Sequence, residues 1–496
     1  MAKDATGIGA YTGNSSIDTL LSPYKWQSAT LSYGFPTAGS TWNGYEPGTQ
    51  PFQGFAALTD AQKTAVRSAL QEWASVADLN ITPVQGAAID ADLRFSVSST
   101  PATAEAYMPS PGDPKSGDAW FGTSLAGRDW TPGSYAYSTV VHEVGHTLGL
   151  KHPHDEMGGG ARPASEDSVE LSIMSYRSYP GASIDSGLSL REGHYATGPM
   201  LDDIAAIQAL YGANYGTSAE DTIYTYTPDM PTIFDTVWDG GGIDGYDLSG
   251  YTTAVAVDLR PGQWSTFSAS QLAVLDPTTD TRAQGNIANA HLHENDARAH
   301  IENATGGSGN DTITGNDVSN SLIGNAGNDV LTGAAGNDVL AGEDGDDTLY
   351  GGQDADALGG GGGSDLLDGG EGDDLLSGGA DNDTLLGGAG NDYLIGGEGT
   401  DALYGDAGDD VFYGSEGDDL FFGDLGADQF ILIGLSGTDT VQDFNVADGD
   451  RMVLAAGTTY SLTDSGAGAV VDLGGDRMVL AGLPSSQLPP DSFLFI

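Results

Sequence analysis

Glycine recurs every nine residues through the middle and later part of this 496-residue chain. The series runs from Gly306 to Gly423, fourteen times in succession, and an Asp stands five residues after each glycine except at Asn320. Two residues further on, the position always holds Ile, Leu or Phe, from Ile313 to Phe430. A glycine turn followed by a short strand with one inward apolar residue is the unit of a stacked solenoid. The repeat therefore predicts a parallel β-roll over residues 306–431.

The repeat also predicts what this roll binds. Stacking places Asp carboxylates and glycine-loop carbonyls of adjacent turns face to face, and hard oxygen ligands without nitrogen or sulfur select calcium. One site between each repeat and the next but one allows at most 12 calcium ions for fourteen repeats. We expect weaker calcium sites at Asn320, Asp354 and Asp381, where the residue departs from the repeat pattern. The expected calcium ligands are Asp311, Asp329, Asp338, Asp347, Asp356, Asp365, Asp374, Asp383, Asp392, Asp401, Asp410, Asp419 and Asp428.

A disordered Gly/Asp linker is the alternative that composition alone favours. Such a linker does not hold an apolar residue in strict phase, so the roll is the better interpretation. Without calcium, however, we expect the segment to be disordered. So many uncompensated carboxylates cannot be packed together, and folding should be coupled to metal binding.

The charge and the absence of cysteine exclude several classes of protein. Acidic residues number 71 against 16 basic ones, a net charge of −55, so nucleic acid and anionic membranes are not expected partners. No cysteine is present, which excludes disulfides, thiolate metal sites and a cysteine nucleophile. No run of 18 apolar residues occurs, and membrane insertion is not expected.

The first 220 residues have mixed charge and most of the tryptophan, as ordinary globular domains do, and their pattern predicts an α+β domain. One helix should begin at the capping box of Thr59 and Gln62, and another should run from near Ser138 to Leu148. A third is expected over residues 201–210. The predicted domains are 1–215 (α+β), 216–305 (a β connector), 306–431 (the roll) and 432–496 (a β cap).

Four of the eight histidines fall within thirteen residues of the α+β domain. His142 and His146 are one helical turn apart, which can place two imidazole nitrogens about 2 Å from one zinc ion. Gly149 can end the helix in a left-handed conformation, so that His152 supplies a third ligand. Zinc lowers the pKa of a bound water to about 7, and Glu143 is placed to take that water's proton and pass it to a leaving amine. The alternative is a helix with polar residues on its exposed side, but the third histidine at its fixed offset makes the motif specific.

This pattern resembles that of the metzincins, and the segment from Ser172 to Tyr176 resembles the Met-turn of the serralysins, secreted zinc proteases that carry RTX calcium-binding repeats. The resemblance implies an α+β metzincin catalytic domain followed by an all-β parallel β-roll (RTX) domain with a β cap. It implies one catalytic zinc held by His142, His146, His152 and Tyr176. It also implies that Met174 forms an apolar floor below the metal and that Tyr176 assists the oxyanion.

Further segments are similar to the family in the same order. The stretch that contains Ala104, Ala106 and Tyr107 is similar to the edge strand that pairs with an extended peptide substrate. His154 fits no ligand position, and we expect a solvated loop residue there. Asp202 and Asp203 could either brace the site or face solvent on a helix.

The resemblance also implies export. Residues 491–496 look like the uncleaved signal of type I secretion substrates, although a last strand of the cap is an equally good interpretation, and both can hold. We therefore expect a secreted, extracellular or surface-associated monomer. Its expected partners are protein or peptide substrates, the type I secretion machinery and, in principle, a protein inhibitor. The family's amino-terminal pro-segment should be short, absent or removed, because Met1 lies close to where the resemblance begins.

The function predicted from the sequence is hydrolysis of peptide bonds in extracellular proteins, with Glu143 as general base and acid and with calcium stabilising the roll. A calcium-dependent surface or adhesion protein with an incidental or inactive protease domain is the alternative, supported only by fourteen repeats where serralysins have a handful. An RTX lipase would need a Gly-x-Ser-x-Gly elbow, which does not occur.

Overall fold

The computed structural model describes residues 4–185, 187–433 and 437–496. Met1, close to which the family resemblance begins, lies outside these residues, so the expectation of a short, absent or removed pro-segment stays a prediction. Contacts divide the chain into two units, and residues 216–305 contribute to both, so the four-part division stays a prediction from composition. The first unit comprises Met1–Thr222, Met230–Gly242 and Pro261–Ala299, and the second comprises Ile223–Asp229, Ile243–Arg260 and His300–Ile496.

The first unit is built on a five-stranded sheet. Its first four strands are parallel, and the edge strand Ala104–Ala106 pairs antiparallel with Asp118–Gly122. Alternating apolar residues on these strands face the helices and are fully buried, as Phe95 and Phe121 show. In spatial order the strands are Asn80–Pro83, Thr30–Gly34, Leu93–Ser98, Asp118–Gly122 and Ala104–Ala106.

The helices of this unit begin where local capping predicts, with one difference. Gln62 N donates to Thr59 Oγ1 (3.3 Å) and Thr59 N donates to Gln62 Oε1 (2.9 Å), which confirms the capping box. The helix predicted to begin near Ser138 begins three residues earlier, because Ser134 Oγ accepts from Tyr137 N (3.1 Å) and caps it. The α-helices among the described residues are α1 (Ser15–Asp18), α2 (Asp60–Val76), α3 (Tyr135–Leu148) and α4 (Leu201–Tyr211).

Helices α2, α3 and α4 form an apolar core with the sheet. Trp73 of α2 is fully buried and its Nε1 donates to Val141 O of α3 (3.0 Å). This bond fixes α3 at the turn that carries the first predicted zinc ligand. Short elements complete the unit: strands Ala5–Gly7 with Tyr24–Trp26, Trp264–Ser265 with Ile287–Asn289 and Asp235–Val237, and Val274–Asp276 with Thr281–Arg282. Among the described residues, the 3-10 helices of this unit are Gln50–Phe52, Ala88–Asp90, Thr123–Leu125, Ala164–Glu166, His293–Asn295 and Ala297–Ala299, and those of the second unit are Ser485–Gln487 and Pro490–Ser492.

The second unit is a β-roll made of two twelve-stranded sheets. Their strands are parallel through the repeat, whereas Gly468–Asp472 pairs antiparallel with both Arg477–Ala481 and Ser461–Asp464. Successive strands of the chain alternate between the sheets, so each full turn takes two nonapeptides, and the predicted roll is confirmed. One sheet contains Ile223–Thr225, Gly245–Asp247, Asn303–Thr305, Ser321–Ala326, Val339–Asp344, Ala357–Gly362, Leu375–Ala380, Tyr393–Glu398, Val411–Glu416, Gln429–Ile431, Arg451–Leu454 and Phe493–Phe495. The other contains Ala256–Asp258, Thr312–Thr314, Val330–Ala335, Thr348–Gln353, Leu366–Glu371, Thr384–Ala389, Ala402–Ala407, Leu420–Phe422, Thr438–Val441, Arg477–Ala481, Gly468–Asp472 and Ser461–Asp464.

The core of the roll is the single apolar column that the repeat predicts. Leu322, Leu331 and the equivalent residues of later repeats are buried completely, and the last three positions are stacked phenylalanines. The sheets extend beyond the repeat in both directions. The boundary at residue 306 marks where the repeat sequence begins, whereas the sheets begin at Ile223, because strands of the predicted connector pair with the first repeats.

The carboxyl-terminal strands continue the same two sheets. Arg451–Leu454 pairs parallel with Gln429–Ile431, and Phe493–Phe495 pairs with Arg451–Leu454. The predicted last strand near residues 491–496 is therefore present. No helix among residues 4–185, 187–433 and 437–496 is long and apolar enough to cross a membrane.

Candidate functional site

Three histidine side chains converge at the end of α3. His152 Nε2 lies 3.2 Å from His142 Nε2 and 3.0 Å from His146 Nε2. Ligands of a tetrahedral zinc ion with bonds near 2 Å stand about 3.3 Å apart, so the three nitrogens fit one zinc ion. The structure thus brings together the three histidines that the sequence singled out.

The other ring nitrogen of each histidine is held by an oxygen. Nδ1 of His142 donates to Ile173 O (2.8 Å), and Nδ1 of His146 donates to Leu150 O (2.8 Å). His152 Nδ1 contacts Asp155 Oδ2 at 3.1 Å. These bonds fix the tautomer, leaving the Nε2 lone pairs for a metal, and burial lowers the pKa values of His142 and His146. Asp155, three residues after the third histidine, was not predicted from the sequence.

Gly149 turns the chain from α3 toward His152. Its φ of 111° and ψ of 13° are left-handed, and its N–H caps the helix by donating to His146 O (3.0 Å). A side chain would be strained in this conformation. The left-handed cap predicted from the sequence is confirmed in the structure.

Lys151 holds the loop that carries His152. The side chain is fully buried, and Nζ donates to Thr19 O (2.5 Å), Asp155 O (2.8 Å) and Gly160 O (3.0 Å). These carbonyls belong to the segment after α1 and to both ends of the loop. This role could not be predicted from the sequence, because backbone carbonyls that converge in space leave no pattern in the residue types.

We expect Lys151→Met to loosen zinc binding. Methionine fills similar volume but leaves the carbonyls of Thr19, His152, Asp155 and Gly160 without this donor, so the loop should no longer hold His152 in place. Zinc dissociation, followed by transfer to a chromophoric chelator, should be about 10-fold faster or more. Lys25→Met is the matched control, because Lys25 Nζ donates to Leu210 O of α4 and not to the loop. Equal zinc dissociation rates in the wild type and Lys151→Met would contradict this role.

Met174 and Asp203 lie below the histidines. Met174 is fully buried and its thioether packs against Gly145, between the two ligands of α3. Asp203 accepts hydrogen bonds from Ser172 Oγ (2.6 Å) and from the backbone N–H of Ile173 (2.6 Å), so it braces the segment whose carbonyl orients His142. Asp202 forms a buried ion pair with Arg162 (2.8 Å). Asp203 thus braces the site, and neither aspartate faces solvent.

Tyr176 stands at the edge of the histidine cluster. Its ring stacks on His142 at a centroid distance of 5.5 Å and lies 4.3 Å from the ring of His152. The side chain is 39% exposed, so it borders solvent as well as the site. Burial against Glu143 and Asp155 raises the pKa of Tyr176.

Glu143 is buried beside the first ligand. Its Oε2 has no hydrogen-bond partner, and burial, with a smaller contribution from the Glu105 carboxylate, raises the pKa of Glu143 to about 8. Glu143 and His142 line a cleft of about 460 Å³, with Tyr176 and Ala104 also on its walls. A carboxylate facing a cleft next to a metal site can exchange protons with a molecule held there.

The predicted substrate strand lies along the same cleft. Tyr107 N donates to Asp118 O (2.9 Å) and Gly117 N donates to Tyr107 O (2.8 Å), so the backbone of Tyr107 is used within the sheet. Along an antiparallel edge strand, the backbone N–H and C=O groups of successive residues point alternately into the sheet and away from it. Those of Ala104 and Ala106 therefore point away from the sheet. Of the three residues predicted to pair with a substrate, Ala104 and Ala106 thus have outward backbone groups. The ring of Tyr107 packs against Tyr45 and Lys115.

His154 is half-buried, because its ring stacks on that of His152 at 5.1 Å and 7°. The expectation of a solvated loop residue is wrong. Its Nδ1 is buried without a hydrogen-bond partner, and burial lowers its pKa. The position is next to the metal cluster but not within the three converging nitrogens.

The repeat aspartates form two ladders in the roll. The backbone N–H of each donates to Oδ1 of the aspartate one turn later, as Asp329 N does to Asp347 Oδ1 (2.7 Å). Oδ2 is buried and has no hydrogen-bond partner, and a Cβ on Gly324 would stand 2.2 Å from Asp329 Oδ2, which explains the glycine there. Among the described residues, this orphaned Oδ2 occurs at Asp329, Asp338, Asp347, Asp356, Asp365, Asp374, Asp383, Asp392, Asp401, Asp410, Asp419, Asp428 and Asp439.

Orphaned carboxylate oxygens fit calcium, which takes six to eight oxygen ligands. Asp311 differs, because its Oδ1 accepts from Val255 N (2.8 Å) and its Oδ2 from Gly307 N (2.6 Å). Asn320 donates to Glu302 O (2.8 Å), so it needs no cation. Asp354 and Asp381 adopt left-handed φ values of 71° and 74° where other repeats have glycine.

Models of known protein families match both the domain that contains the histidines and the repeat that forms the roll. Residues 56–158 match the Matrixin model of peptidases, and five overlapping or adjacent segments between 305 and 430 match the RTX calcium-binding nonapeptide repeat. The chain joins a matrixin peptidase domain to RTX calcium-binding repeats. The matrixin match includes α2, α3 and all three histidines, and it ends before Met174 and Tyr176.

The chain is also similar to curated proteins named as serralysins and metallopeptidases. The chain is 33% identical over 305 residues to "Serralysin" of Proteus mirabilis, covering 54% of this chain and 60% of the relative. It is 32% identical over 291 residues to "Metallopeptidase AprA" of Pseudomonas marginalis, covering 53% and 57%. It is 36% identical over 268 residues to "Serralysin C" of Dickeya chrysanthemi, covering 48% and 54%. The chain thus spans about half the length of the curated relatives it matches.

These matches, together with the donor atoms, support zinc at the matrixin site and calcium in the RTX roll. The histidine nitrogens suit zinc and the carboxylate oxygens suit calcium. The predicted family resemblance and fold class, an α+β peptidase domain followed by an all-β roll, are confirmed.

Proposed function

We propose that this chain is a zinc-dependent endopeptidase of serralysin type, secreted and stabilised by calcium in its roll. The convergence of three Nε2 atoms from His142, His146 and His152, each ring held through Nδ1, is the observation that carries the proposal. Such pre-oriented imidazoles are characteristic of a metal centre, and the open cleft beside them leaves room for a substrate. The comparisons support a metalloprotease of this kind.

Glu143 has the position of a general base and acid in this proposal. Zinc, when bound, supplies Lewis acidity and lowers the pKa of a coordinated water. Glu143 is one residue from a ligand, and its Oε2 faces no other partner, so it would accept a proton from the attacking water once the charge of a bound zinc ion favours its ionised form. The same carboxyl group then returns the proton to the nitrogen of the leaving amine. Both transfers occur at one side chain, so no second acid is needed.

The edge strand Ala104–Ala106 gives the substrate its orientation in this proposal. An extended peptide can add to the sheet antiparallel or parallel to this strand, through the outward backbone groups of Ala104 and Ala106. Pairing of this kind binds the substrate through hydrogen bonds to its backbone more than through contacts with its side chains. We therefore propose unfolded or extended segments of extracellular proteins as the substrate class.

Tyr176 has two proposed roles, as a further zinc ligand and as a donor to the oxyanion. Its ring lies within 4.3 Å of the ring of His152, and its partial exposure allows the side chain to move. A raised pKa keeps the phenol protonated in the absence of metal, as a hydrogen-bond donor must be.

Export through a type I secretion machine and calcium-driven folding outside the cell complete the proposal. A chain that stays unfolded at low calcium can be threaded, and calcium outside then drives folding by mass action. The acidic composition and the buried, unpartnered Oδ2 atoms of the repeat aspartates support this path. A monomeric state and recognition by a protein inhibitor are further parts of the proposal.

Hydrolysis of unfolded casein tests the activity. The wild type in millimolar calcium with one equivalent of zinc should release acid-soluble peptides, and removal of zinc at constant calcium should abolish the release. Restored zinc should restore it. A folded, zinc-loaded wild type that leaves casein and other unfolded proteins intact would contradict the proposed endopeptidase.

A further inference from the structure

One of the two aspartate ladders continues beyond the repeat. Asp419 N donates to Asp439 Oδ1 at 3.1 Å, although the two residues are 20 apart in sequence instead of 18. Asp439 is fully buried, and its Oδ2 has no hydrogen-bond partner. Asp439 thus has the same surroundings as the repeat aspartates, although it lies in the predicted cap. The nine-residue period missed it because two extra residues precede it.

The surroundings of Asp439 are acidic. Burial raises its pKa to about 7, and the carboxylates of Asp419, Asp418 and Asp476 add to the shift. Among the described residues, no Lys or Arg side chain forms an ion pair with Asp439. A buried carboxylate oxygen without a cation or donor is unfavourable, so an external cation is the natural partner of Asp439 Oδ2.

The other ladder ends differently. Asp428 N donates to Asp450 Oδ1 (3.1 Å), but Asp450 Oδ2 accepts from Asn445 N (2.7 Å). Both oxygens of Asp450 are therefore satisfied by the protein itself. The two aspartates have the same place at the end of a ladder and differ only in whether one oxygen is left without a partner.

We propose that Asp439 is a ligand of a further calcium ion, bound between the last turn of its ladder and the first turn of the cap. Its hard carboxylate oxygen selects calcium for the same reason as those of the repeats. The strand that contains Asp439, Thr438–Val441, pairs with Arg477–Ala481 of the cap. Calcium at this place therefore ties the ordering of the cap to the ordering of the roll.

Calcium binding to the full-length, zinc-loaded chain tests this proposal, with Asp439→Asn and Asp450→Asn as a matched pair. Equilibrium dialysis with calcium alone should give one ion fewer for Asp439→Asn than for the wild type. Asp450→Asn should keep the wild-type number. Calcium binding does not depend on proteolysis, so the result is separate from the proposed enzymatic activity.

Hydrogen exchange gives a second measurement, made on the wild type and on Asp439→Asn. In the wild type, amide protection of Thr438–Val441 and Arg477–Ala481 should rise with calcium concentration. It should reach its maximum at the same calcium concentration as the protection of the repeat strands. In Asp439→Asn the calcium concentration for half-maximal protection of these strands should rise several-fold. Equal ion numbers in all three proteins, or cap protection that does not respond to calcium in the wild type, would overturn the proposal.

Discussion

Replacement of Glu143 by alanine should reduce casein hydrolysis by roughly 10²–10⁴-fold, the range that general acid–base catalysis supplies. The carboxylate lies beside His142 and faces the cleft with Oε2 unpartnered, so it is the group that we expect to carry the proton. The measurement is kcat/KM on casein fragments for zinc-loaded wild type and variant.

Zinc content and folding must be measured in the same samples. Glu143 is not among the three converging donors, so the variant should still bind one zinc ion, and its unfolding temperature should change little. Glu156→Ala is the control, because Glu156 is exposed on the loop after His152. A Glu143→Ala protein that binds zinc and cleaves casein at the wild-type rate would show that another group moves the proton.

Removal of calcium should unfold the roll while the peptidase domain keeps its core. Twelve buried repeat oxygens have no partner, and burial raises the pKa of several of these aspartates to about 6 or 7, as for Asp356 and Asp383. At neutral pH without calcium, the ionised carboxylates repel one another in a medium of low polarity. Far-ultraviolet circular dichroism should lose the β signal of residues 306–431, about a quarter of the chain.

Calcium chelators also remove zinc, so the two metals must be returned separately. Calcium alone should restore the β signal and the resistance of the roll to limited proteolysis. Zinc alone should not, and magnesium at the same concentration should not, because its octahedral preference and strongly held water suit these sites poorly. A calcium-free chain that keeps its full β signal at pH 7 would contradict the coupling of folding to metal.

The regular parts of this molecule could be predicted from the sequence because each depends on local spacing. The nine-residue period gave the apolar column and the ladder of aspartates, and the His142, His146 and His152 offsets gave the cluster. Gly149 could be assigned a left-handed turn because few other residues end a helix in that way.

The parts that could not be predicted depend on chain segments that meet only in three dimensions. Lys151 binds carbonyls of Thr19 and Gly160, which no residue type reveals. Asp439 lies outside the nine-residue period because two extra residues precede it. The bonds that Asp311 accepts from Val255 N and Gly307 N involve backbone groups, which the repeat pattern does not reveal. The sheets also start before residue 306, since a strand can pair with a repeat without having its sequence.

Stacking in the roll has a consequence for how such chains evolve. Strands pair only with the strands one turn before and one turn after, as Val330–Ala335 does with Thr312–Thr314 and Thr348–Gln353. The free energy of such an array is close to a sum of terms for single turns and for adjacent pairs. Duplication or loss of 18 residues therefore adds or removes one turn in register, without altering the side chains that surround the three histidines. A gene can lengthen this module by unequal recombination while selection on catalysis stays the same, and fourteen repeats are a natural outcome of that freedom.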